Sequence, residues 1–511
     1  MTHESKMREF YSRRKHQLGM GGLEKCEARR KAGKLNARER IDYLFDKGTF
    51  QEIGVFTHSA FAEMAEVTPS DGKIIGIGLI DGRATAVVSN DMTVLGASSS
   101  IVNTKKIQYI TELSSRKGMP LVFLAESAGG RIPDNMGARG MGQSGQNPNQ
   151  YRRLRFSPWV SVLLGPCYGS SSWYSCMSDV SVMLKGAVLA VSSQKVTALA
   201  IGEQDSAEDL GGWEVHGKIT GQVDAVADTE TKCINFAKRV LSYLPANSAK
   251  APSRSDIPEN SGYEMADILD FVPAARNRVY NMKTIIEKIV DAGSFLELKA
   301  DFGLPCTTAF ARLEGYSVGI IANNPMFGAG ALDADCCDKI VSFLVLCDSY
   351  NVPILMFVDT PGFLVGKAGE RKKITGKIMN WMNALALTTV PKLTVIIRKS
   401  YGQGWQNMGG GRYSDVLVAW PTAEISFVAP EIAVNIVHGI GKEDDTERYN
   451  ELLEEISRQT EPWDAAGIFG LTDVIEPKDT RLFLAKMLKL YVEDSRCRIG
   501  QHLMHNWPTS F

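Results

Sequence analysis

The chain lacks the residue patterns on which most metal sites depend. None of its nine cysteines falls in a C-x-x-C pair, and its seven histidines are not spaced as metal ligands, which argues against a zinc ribbon or a zinc protease. The motif H-E-x-x-H is also absent. We therefore expect reduced, mostly buried thiols, no metal in this chain, and a reaction that relies on backbone groups.

A charge excess and long apolar runs are missing as well. The chain has 57 basic and 58 acidic residues, a net charge of -1, which leaves no field to hold nucleic acid or an anionic membrane. No run approaches the roughly 18 apolar residues of a membrane-spanning helix, and the start, MTHESKMREF, does not resemble a signal peptide. We expect a cytoplasmic protein with no nucleic-acid partner and no membrane span.

What the chain does have is a long internal repeat. The segment PLVFLAESAGG from Pro120 is echoed by PILMFVDTPGF from Pro353, and PWVSVLLGPCYG from Pro158 is echoed by PKLTVIIRKSYG from Pro391, at the same offset in both cases. The offset then lengthens slightly, so that Ser178 is answered by Ser414. A repeat of this length predicts two homologous domains, and 511 residues are too many for one hydrophobic core.

Each copy shows the same order of predicted elements. A hairpin turning at Asp81-Gly82 or Glu314-Gly315 is followed by a helix, a short apolar strand, a glycine turn and another helix. Apolar strands that alternate with helices predict an α/β fold with a largely parallel sheet. We place one domain at residues 1–250, in which the charged residues 1–45 form an arm or a helical cap rather than core. We place the other at 251–511, after a polar linker segment that starts at Ser248.

Glycine recurs directly after the predicted strands of both copies. A glycine turn lets backbone N–H groups point at one spot, which suits a developing negative charge on oxygen. A single such glycine is more often a plain tight turn, but recurrence at equivalent positions favours two oxyanion sites. The residues concerned are Gly129, Gly130, Gly169 and Ser170 in the first copy, and Gly362, Gly402, Gln403 and Gly404 in the second.

Several motifs in order resemble one known family. ESAGGRI at Glu126, GPCYG at Gly165, EDLGGWEVH at Glu208, ANNPMFGAGALD at Ala322 and VDTPGFLVG at Val358 look like signatures of the carboxyltransferase β subunits of biotin-dependent acyl-CoA carboxylases. The closest pattern is that of propionyl-CoA and 3-methylcrotonyl-CoA carboxylases. The resemblance covers nearly the whole chain and implies tandem crotonase-like (ClpP/crotonase) domains related by internal duplication.

The resemblance also implies a reaction. A carboxyl group would move from N-carboxybiotin to the α-carbon of an acyl-CoA through two enolates, with the coenzyme A thioester on the N-terminal domain and biotin on the C-terminal one. The site would be shared between neighbouring subunits of a homo-hexamer. The chain has no Met-Lys-Met biotinylation site, so biotin would arrive on a partner, and a biotin carboxylase and a biotin carboxyl carrier subunit are implied.

Carried onto this sequence, the acyl-CoA oxyanion hole matches Gly169 and Ser170, and the biotin hole matches Gln403 and Gly404. The residues expected to contact substrate are Gly129, Gly130, Tyr168, Trp173, Gly362, Phe363, Trp405 and Gln406. Trp173 and Trp405 could instead belong to the core or an interface. We expect Tyr174 to join these tryptophans in an aromatic pocket that favours an acyl group larger than acetyl.

The sequence departs from the family at two places. Tyr168 to Ser171 replace the usual Ala-Gly-Gly-Ala after GPC, and Gln406 replaces an acidic residue of the propionyl type. Backbone donors survive such changes, whereas the shape of the acyl pocket does not. Two alternatives therefore stay open: the carboxyltransferase subunit of a biotin-dependent decarboxylase or transcarboxylase, and a non-catalytic paralogue.

A few conspicuous charged residues favour structural roles. We expect His216 to make a structural hydrogen bond, and Glu126 and Asp359 to satisfy local N–H groups rather than to form an acid/base pair. The run Arg29-Arg30-Lys31 is predicted to be a solvated face. Contact with the phosphates of coenzyme A is a minority prediction for Lys105-Lys106 and for the run over residues 370–373.

Overall fold

The computed structural model describes residues 2–143, 155–262, 265–493, 499–505 and 507. The chain divides into a first unit, Met1–Ala249, and a second unit, Lys250–Phe511. None of the eight described cysteines is in a disulfide, and all but the half-buried Cys176 are buried. Cys497 lies outside the described residues.

The first unit is built on an eight-stranded sheet. In the order β1-β2-β3-β4-β5-β6-β8, with β7 beside β5, only the pairs β1-β2 and β2-β3 are antiparallel. Both faces of the parallel part are covered, which is why β4 and β5 are almost entirely apolar. The strands are β1 (Gln51–Ile53), β2 (Lys73–Ile80), β3 (Arg83–Asn90), β4 (Leu121–Ser127), β5 (Trp159–Tyr168), β6 (Val180–Leu184), β7 (Val188–Ala190) and β8 (Ala225–Ala227).

Helices flank this sheet, and their ends follow local sequence signals. The hydroxyl of Ser100 accepts from the Asn103 amide at the start of α4, and Gly118, with a φ of 64°, ends that helix. The helices are α1 (His3–Leu18), α2 (Leu23–Lys31), α3 (Ala37–Leu44), α4 (Ile101–Lys117), α5 (Ile132–Asn135), α6 (Gly137–Gln143), α7 (Ser170–Cys176), α8 (Gln194–Ile201), α9 (Ala207–Gly211) and α10 (Glu230–Tyr243).

The charged arm is only partly the outlying segment that the sequence suggested. Helix α1 is exposed along most of its length. In contrast, α3 buries Arg40, Ile41 and Leu44, each at most 1% exposed. The prediction that residues 1–45 lie outside the core is therefore wrong for α3, because its apolar face packs on the first sheet beside a buried arginine.

The second unit repeats the first sheet. Its strand order is β16-β14-β13-β12-β11-β10-β9, with β15 beside β13, and the pairs β9-β10 and β10-β11 are antiparallel. The strands are β9 (Leu296–Leu298), β10 (Cys306–Leu313), β11 (Tyr316–Asn323), β12 (Ile354–Thr360), β13 (Lys392–Tyr401), β14 (Val416–Ala419), β15 (Glu424–Ser426) and β16 (Asp473–Val474).

The helices of the second unit follow the same plan. Asp333 accepts from the Cys336 amide at the start of α12, as Ser100 does for α4. The helices are α11 (Met282–Ile289), α12 (Ala334–Ser349), α13 (Lys367–Arg371), α14 (Ile374–Leu387), α15 (Gly402–Asn407), α16 (Pro430–His438), α17 (Thr446–Arg458), α18 (Pro462–Gly467) and α19 (Thr480–Glu493).

The duplication holds strand by strand. From β2 and β10 to β5 and β13, equivalent strands begin at one constant offset in the numbering, and β6 and β14 begin slightly further apart, as the sequence repeat does. The register also shifts at the same place in both sheets, between Ala125 and Ser127 and between Val358 and Thr360. This confirms the predicted α/β fold of tandem, internally duplicated domains.

Candidate functional site

In the first unit, the loop after β4 is held by a short parallel bridge to the loop before α4. Ser99 donates its amide to the Gly129 carbonyl at 2.8 Å, and the Arg131 amide donates to the Ser99 carbonyl at 2.8 Å. The intervening N–H of Gly130 therefore points away from the bridge, because alternate backbone groups face opposite sides. Gly129 has a φ of 106°, which only glycine adopts readily.

The turn from β5 into α7 comes up against this loop. A Cβ atom on Gly169 would lie 3.8 Å from the Cα of Gly129 and 3.9 Å from the amide nitrogen of Gly130. Ser170 opens α7, so its N–H has no helical acceptor. The amide of Gly169 donates to the Val191 carbonyl at 3.3 Å. The predicted residues are thus together, but the available donors are the Gly130 and Ser170 amides.

An ion pair that the sequence did not indicate fixes this loop. The guanidinium of Arg131 donates to Asp71 at 2.6 Å and to Asp134 at 3.1 Å, and all three side chains are buried. Asp71 lies in a turn with a φ of 47° and also accepts from the Asn103 amide at 3.0 Å. Because Arg131 directly follows Gly130, this network holds the Gly130 amide in place.

The acid near the end of β4 has guanidinium partners. Glu126 accepts from Arg29 at 2.9 Å and from Arg40 at 2.7 Å. Asp359, its equivalent in β12, accepts from the Arg398 side chain at 2.9 Å and from the Lys399 amide at 3.2 Å. The expectation that local N–H groups satisfy Glu126 is therefore wrong, because two arginine side chains neutralise it. Asp359 has both an arginine partner and a backbone N–H partner.

The aromatic residues around this turn divide into two groups. Trp173 is 45% exposed and Tyr168 is 9% exposed. Tyr174 stacks on Trp159 at 6.4 Å and contacts Phe123 at 5.8 Å between ring centroids. The expectation that Tyr174 lines a pocket is wrong, because its side of α7 faces the sheet.

The second unit repeats the bridge and the turn. Leu332 donates its amide to the Gly362 carbonyl at 2.9 Å, and the Leu364 amide donates to the Leu332 carbonyl at 2.7 Å. The N–H of Phe363 therefore points away, as that of Gly130 does. A Cβ atom on Gly404 would lie 3.0 Å from the Cα of Gly362, so the close approach of α15 to this loop depends on glycine.

The side chains predicted around the second turn lie in different environments. Gln403 and Gln406 are exposed, and the Gln403 amide donates to the Asn407 side chain at 2.9 Å. Trp405 is half-buried against Gly410, where a Cβ atom would lie 2.5 Å from the indole ring. Phe363 makes an edge contact with Trp381, at 5.9 Å between centroids. These contacts place the Trp405 ring against the second unit itself.

A polar network that the sequence did not indicate supports the second turn. Tyr401, the residue before Gly402, donates its hydroxyl to Glu424 at 2.5 Å. Arg276 lies 2.9 Å from the same carboxylate and 3.2 Å from Glu431 on α16. Burial raises the pKa of the Tyr401 phenol, and its hydrogen bond to Glu424 adds to that rise. No spacing in the sequence connects these residues.

His216 has the structural role that the sequence predicted. Its Nε2 lies 2.7 Å from the Leu189 carbonyl, which can only accept, so Nε2 carries the proton. Nδ1 lies 3.2 Å from the Thr220 hydroxyl. Burial lowers the pKa of His216, which keeps the ring neutral.

The basic runs differ from expectation at two residues. Arg29 belongs to the Glu126 ion pair and is not part of a solvated face, although Arg30 and Lys31 are exposed. Lys106 donates to the carbonyls of Gly54, Ser70 and Lys73, and burial lowers its pKa to about 8. It is therefore occupied and cannot bind the phosphates of coenzyme A.

The second basic run is exposed over residues 370–373. Lys372 pairs with Asp335 at 2.8 Å, which ties the start of α14 to α12. Across the described residues, no three His, Cys, Asp or Glu side chains converge as metal ligands. None of the helices in that part of the chain combines the length and the apolar character that a membrane crossing requires.

Comparison with known proteins places this arrangement in a family. The carboxyl transferase domain model matches residues 28–504. The chain is 35% identical over 506 residues to the carboxyltransferase subunit of propionyl-CoA carboxylase from Haloferax mediterranei, covering 96% of each protein. It is 34% identical to the alpha subunit of methylmalonyl-CoA decarboxylase from Propionigenium modestum, covering 90% of this chain and 91% of that one.

The fold has a close match among solved structures. The crystal structure of the transcarboxylase 12S subunit, described as a hexamer assembly with methylmalonyl-coenzyme A and methylmalonic acid bound, superposes with a TM-score of 0.89 at 32% identity. The match covers 96% of this chain and 97% of that one. The chain therefore belongs to the carboxyl transferase domain family and is an acyl-CoA carboxyltransferase, as its motifs predicted.

Proposed function

We propose that this chain is the carboxyltransferase subunit of a biotin-dependent acyl-CoA carboxylase. Each of its two glycine turns would form one of the two oxyanion sites that the reaction needs. The main support is that both units have the same arrangement. In each, a parallel bridge leaves one loop N–H pointing away from the bridge, and the first N–H groups of a short helix follow the next strand. In the first unit these are the Gly130 and Ser170 amides, with Gly169 shaping the turn. In the second they are the Phe363, Gln403 and Gly404 amides.

The reaction needs two oxyanion sites and little else. Carboxybiotin, held at the Phe363, Gln403 and Gly404 amides, would supply carbon dioxide and the base for the α-proton of the acyl-CoA. The thioester enolate, held at the Gly130 and Ser170 amides, would attack the carbon dioxide. Negative charge develops on the ureido oxygen of biotin and on the thioester oxygen. Preorganised amide donors stabilise such charge by roughly 3 kcal/mol each. We assign the thioester oxygen to the first unit and the biotin oxygen to the second.

The cofactor and partners follow from the same assignment. Biotin would be delivered by a biotin carboxyl carrier subunit and charged by a biotin carboxylase. The 12S relative is described as a hexamer forming a multienzyme core, and we propose a homo-hexamer in the cytoplasm for this chain too. Gly129, Gly130 and Trp173 would contact the thioester, while Gly362, Phe363 and Gln406 would contact biotin.

The acyl group that this site favours is larger than acetyl. Trp173 leaves 45% of its surface exposed at the first turn, and Tyr168, the residue before Gly169, is 9% exposed. Each further methylene buried against such a surface contributes about 0.8 kcal/mol. Propionyl-CoA should therefore exceed acetyl-CoA in kcat/KM by about fourfold, and butyryl- or methylcrotonyl-CoA by roughly tenfold or more.

A specific observation also supports the reverse direction. The decarboxylase and transcarboxylase relatives match this chain about as well as the carboxylase relative does. The same two turns would then take a carboxyl group from methylmalonyl-CoA to biotin. Direction would be set by the partner subunits, because enolate stabilisation serves both directions equally.

The test is a carboxylation assay with the biotin carboxylase and carrier expressed together with this chain. Labelled bicarbonate, ATP and a series of acyl-CoA esters measure the forward reaction, and malonyl- or methylmalonyl-CoA with free biotin measures the reverse. Gly404→Ala should lower turnover by roughly 100-fold, since its Cβ would displace the loop at Gly362. Gly376→Ala, on α14 with no atom near its Cβ, is the matched control.

A chain that is inactive with every acyl-CoA in both directions would be a non-catalytic paralogue. Full turnover by Gly404→Ala would show that the biotin oxygen is held elsewhere. A clear preference for acetyl-CoA would contradict the role given to Trp173.

A further inference from the structure

Two serine hydroxyls meet beside the amides of the first turn. The Oγ atoms of Ser99 and Ser170 are 2.6 Å apart, a short hydrogen bond. Ser99 is the bridge partner of Gly130, and Ser170 is the first residue of α7. The pair therefore joins α7, which supplies the Ser170 amide, to the loop before α4, which is bridged to Gly130.

Hydrogen counting leaves one donor to spare. Two hydroxyl groups carry two hydrogens, and one of them lies between the oxygens. Within the described part of the chain, no other acceptor is in hydrogen-bond contact with either hydroxyl. Both residues are half-buried. One O–H group is thus free to donate at a partly water-excluded position at the start of α7, where the Ser170 amide also lies.

Other serines of α7 are occupied. Ser172 donates its hydroxyl to the Gly169 carbonyl at 2.7 Å, and Ser175 donates to the Ser171 carbonyl at 2.9 Å. Ser171 is buried, with the Asn90 amide 3.4 Å away. Ser170 is therefore the α7 serine whose hydroxyl contacts Ser99, the bridge partner of Gly130.

The second unit has no such pair. The residues equivalent to Ser99 and Ser170 are Leu332 and Gln403, although the bridge and the turn are the same. A hydroxyl pair needed only to hold a loop against a helix would be expected in both units. Its presence in the first unit alone connects it with the acyl-CoA and not with biotin.

We infer that the Ser170 hydroxyl is a further donor to the thioester oxygen as it becomes an enolate, and that Ser99 is its positioning residue. We assign the Ser99 hydroxyl as the donor of the pair, which leaves the Ser170 hydrogen for the thioester oxygen and polarises it. No bond is made or broken at either serine, and both protons stay on their oxygens. The inference rests on the proposed function, because it requires an acyl-CoA enolate at this turn.

The bond should strengthen as charge develops on the thioester oxygen. An interaction realised mainly in the transition state lowers kcat when it is removed and leaves KM nearly unchanged. A hydroxyl pair that only ties the loop to α7 would instead affect the thermal midpoint, or KM. The split between kcat and KM therefore separates the two roles.

The experiment uses the assembled carboxylase with its biotin carboxylase and carrier subunits. Ser170→Ala should lower kcat by roughly 10- to 100-fold, with KM for the acyl-CoA within about threefold. Ser99→Ala should lower kcat by about three- to tenfold, since Ser170 keeps its hydrogen but loses its orientation. Ser170→Thr keeps the hydroxyl and should stay within about fivefold of the wild type.

Ser175→Ala is the matched control, a serine of the same helix whose hydroxyl bonds only to the backbone; its kcat should equal that of the wild type. A Ser170→Ala enzyme with kcat within twofold of the wild type overturns the inference. So does a loss shared equally by Ser170→Thr, or one confined to KM. A wild-type enzyme inactive with every acyl-CoA overturns the proposed function as well, whereas normal wild-type turnover with an active Ser170→Ala overturns the hydroxyl role alone.

Discussion

The two units bury a carboxylate at the same register shift of equivalent strands. The arginines that neutralise it come from different elements in the two units. Glu126 near the end of β4 and Asp359 near the end of β12 are equivalent in the repeat, and each is at most 1% exposed. Each lies where the sheet register shifts. A carboxylate at such a position is costly to bury unless it is paired and hydrogen-bonded.

In the second unit the partner comes from the neighbouring strand. Arg398 on β13 reaches Asp359 and also donates to the carbonyls of Pro273 and Arg278, at 3.3 and 3.0 Å. Burial still raises the pKa of Asp359, against the opposing effect of Arg398. The pair is thus contained within one sheet and the segment that covers it.

In the first unit that route is closed. The residue equivalent to Arg398 is Gly165, and a Cβ atom there would lie 2.4 Å from a carboxylate oxygen of Glu126. The extra methylene of glutamate occupies the space. Arg29 on α2 and Arg40 on α3 take the place of the strand arginine. The two duplicated units therefore both keep the buried carboxylate, but its counterion comes from a different part of the chain in each.

This difference makes the arm part of the first unit. Arg40 also donates to Glu230 on α10, at 2.9 and 2.8 Å, and its side chain is fully buried. One guanidinium consequently joins the arm, the end of β4 and α10. The charged partners of Asp359, by contrast, lie on the adjacent strand β13.

The sharpest break in the comparison is Arg40→Met. It leaves Glu126 and Glu230 short of a buried counterion and should lower the free energy of unfolding by about 3–5 kcal/mol. Arg398→Met should cost less, because only Asp359 is affected and Lys399 remains 3.8 Å away. Urea denaturation of the purified chain, followed by tryptophan fluorescence, measures both.

The control for Arg40 is Arg30→Ala, on an arginine whose side chain is 54% exposed in its pair with Glu39; a much smaller change than that of Arg40→Met is expected, because solvent screens an exposed pair. Adding Glu126→Gln to Arg40→Met should recover part of the loss, since the uncompensated charge is then gone. Equal effects of Arg40→Met and Arg398→Met would contradict the distinction between the units.

The two tyrosines before the helix turns sharpen the comparison on a smaller scale. Tyr401 donates to the carboxylate of Glu424, whereas among the described residues the Tyr168 hydroxyl has no hydrogen-bond partner and Val188 stands at the position of Glu424. Tyr401→Phe should therefore cost about 1.5–3 kcal/mol, and Tyr168→Phe less than about 0.5 kcal/mol. Similar values for both, measured by the same denaturation, would remove the proposed role of Glu424 in supporting the second turn.

The features that sequence predicted are those encoded within a few consecutive residues. Apolar strands and the glycine turns after them identified the duplication and the α/β class, because a few consecutive residues are enough to recognise each strand and each turn. The same holds for the meeting of Gly129 with Gly169. Strands that are adjacent in a parallel sheet bring their carboxyl ends to one edge.

The features that sequence missed depend on contacts between distant segments. Arg40 and Glu126 are 86 residues apart, Arg131 and Asp71 are 60 apart, and neither pair has a repeating spacing. Tyr174 looked like a pocket residue because it follows Trp173, yet neighbouring residues of a helix point to different faces. No sequence pattern indicated Ser99, because its hydroxyl meets that of Ser170 only in the folded chain, where Ser99 is bridged to Gly130.

The smallest expected difference between the units is their response to mild acid. His216 in the first unit is buried and donates to a backbone carbonyl, and burial lowers its pKa below the unfolded value of about 6.5. The unfolded chain therefore binds the proton more readily, so the contribution of His216 is complete above about pH 6.5 and is lost as the pH falls below it. The loss is at most about 1.4 kcal/mol per pH unit.

His438, exposed at the end of α16, is the matched residue of the second unit. Thermal unfolding between pH 7.5 and 5.5 should show a flatter dependence for His216→Gln and an unchanged one for His438→Gln; a wild-type slope in His216→Gln would mean that another group carries the acid sensitivity.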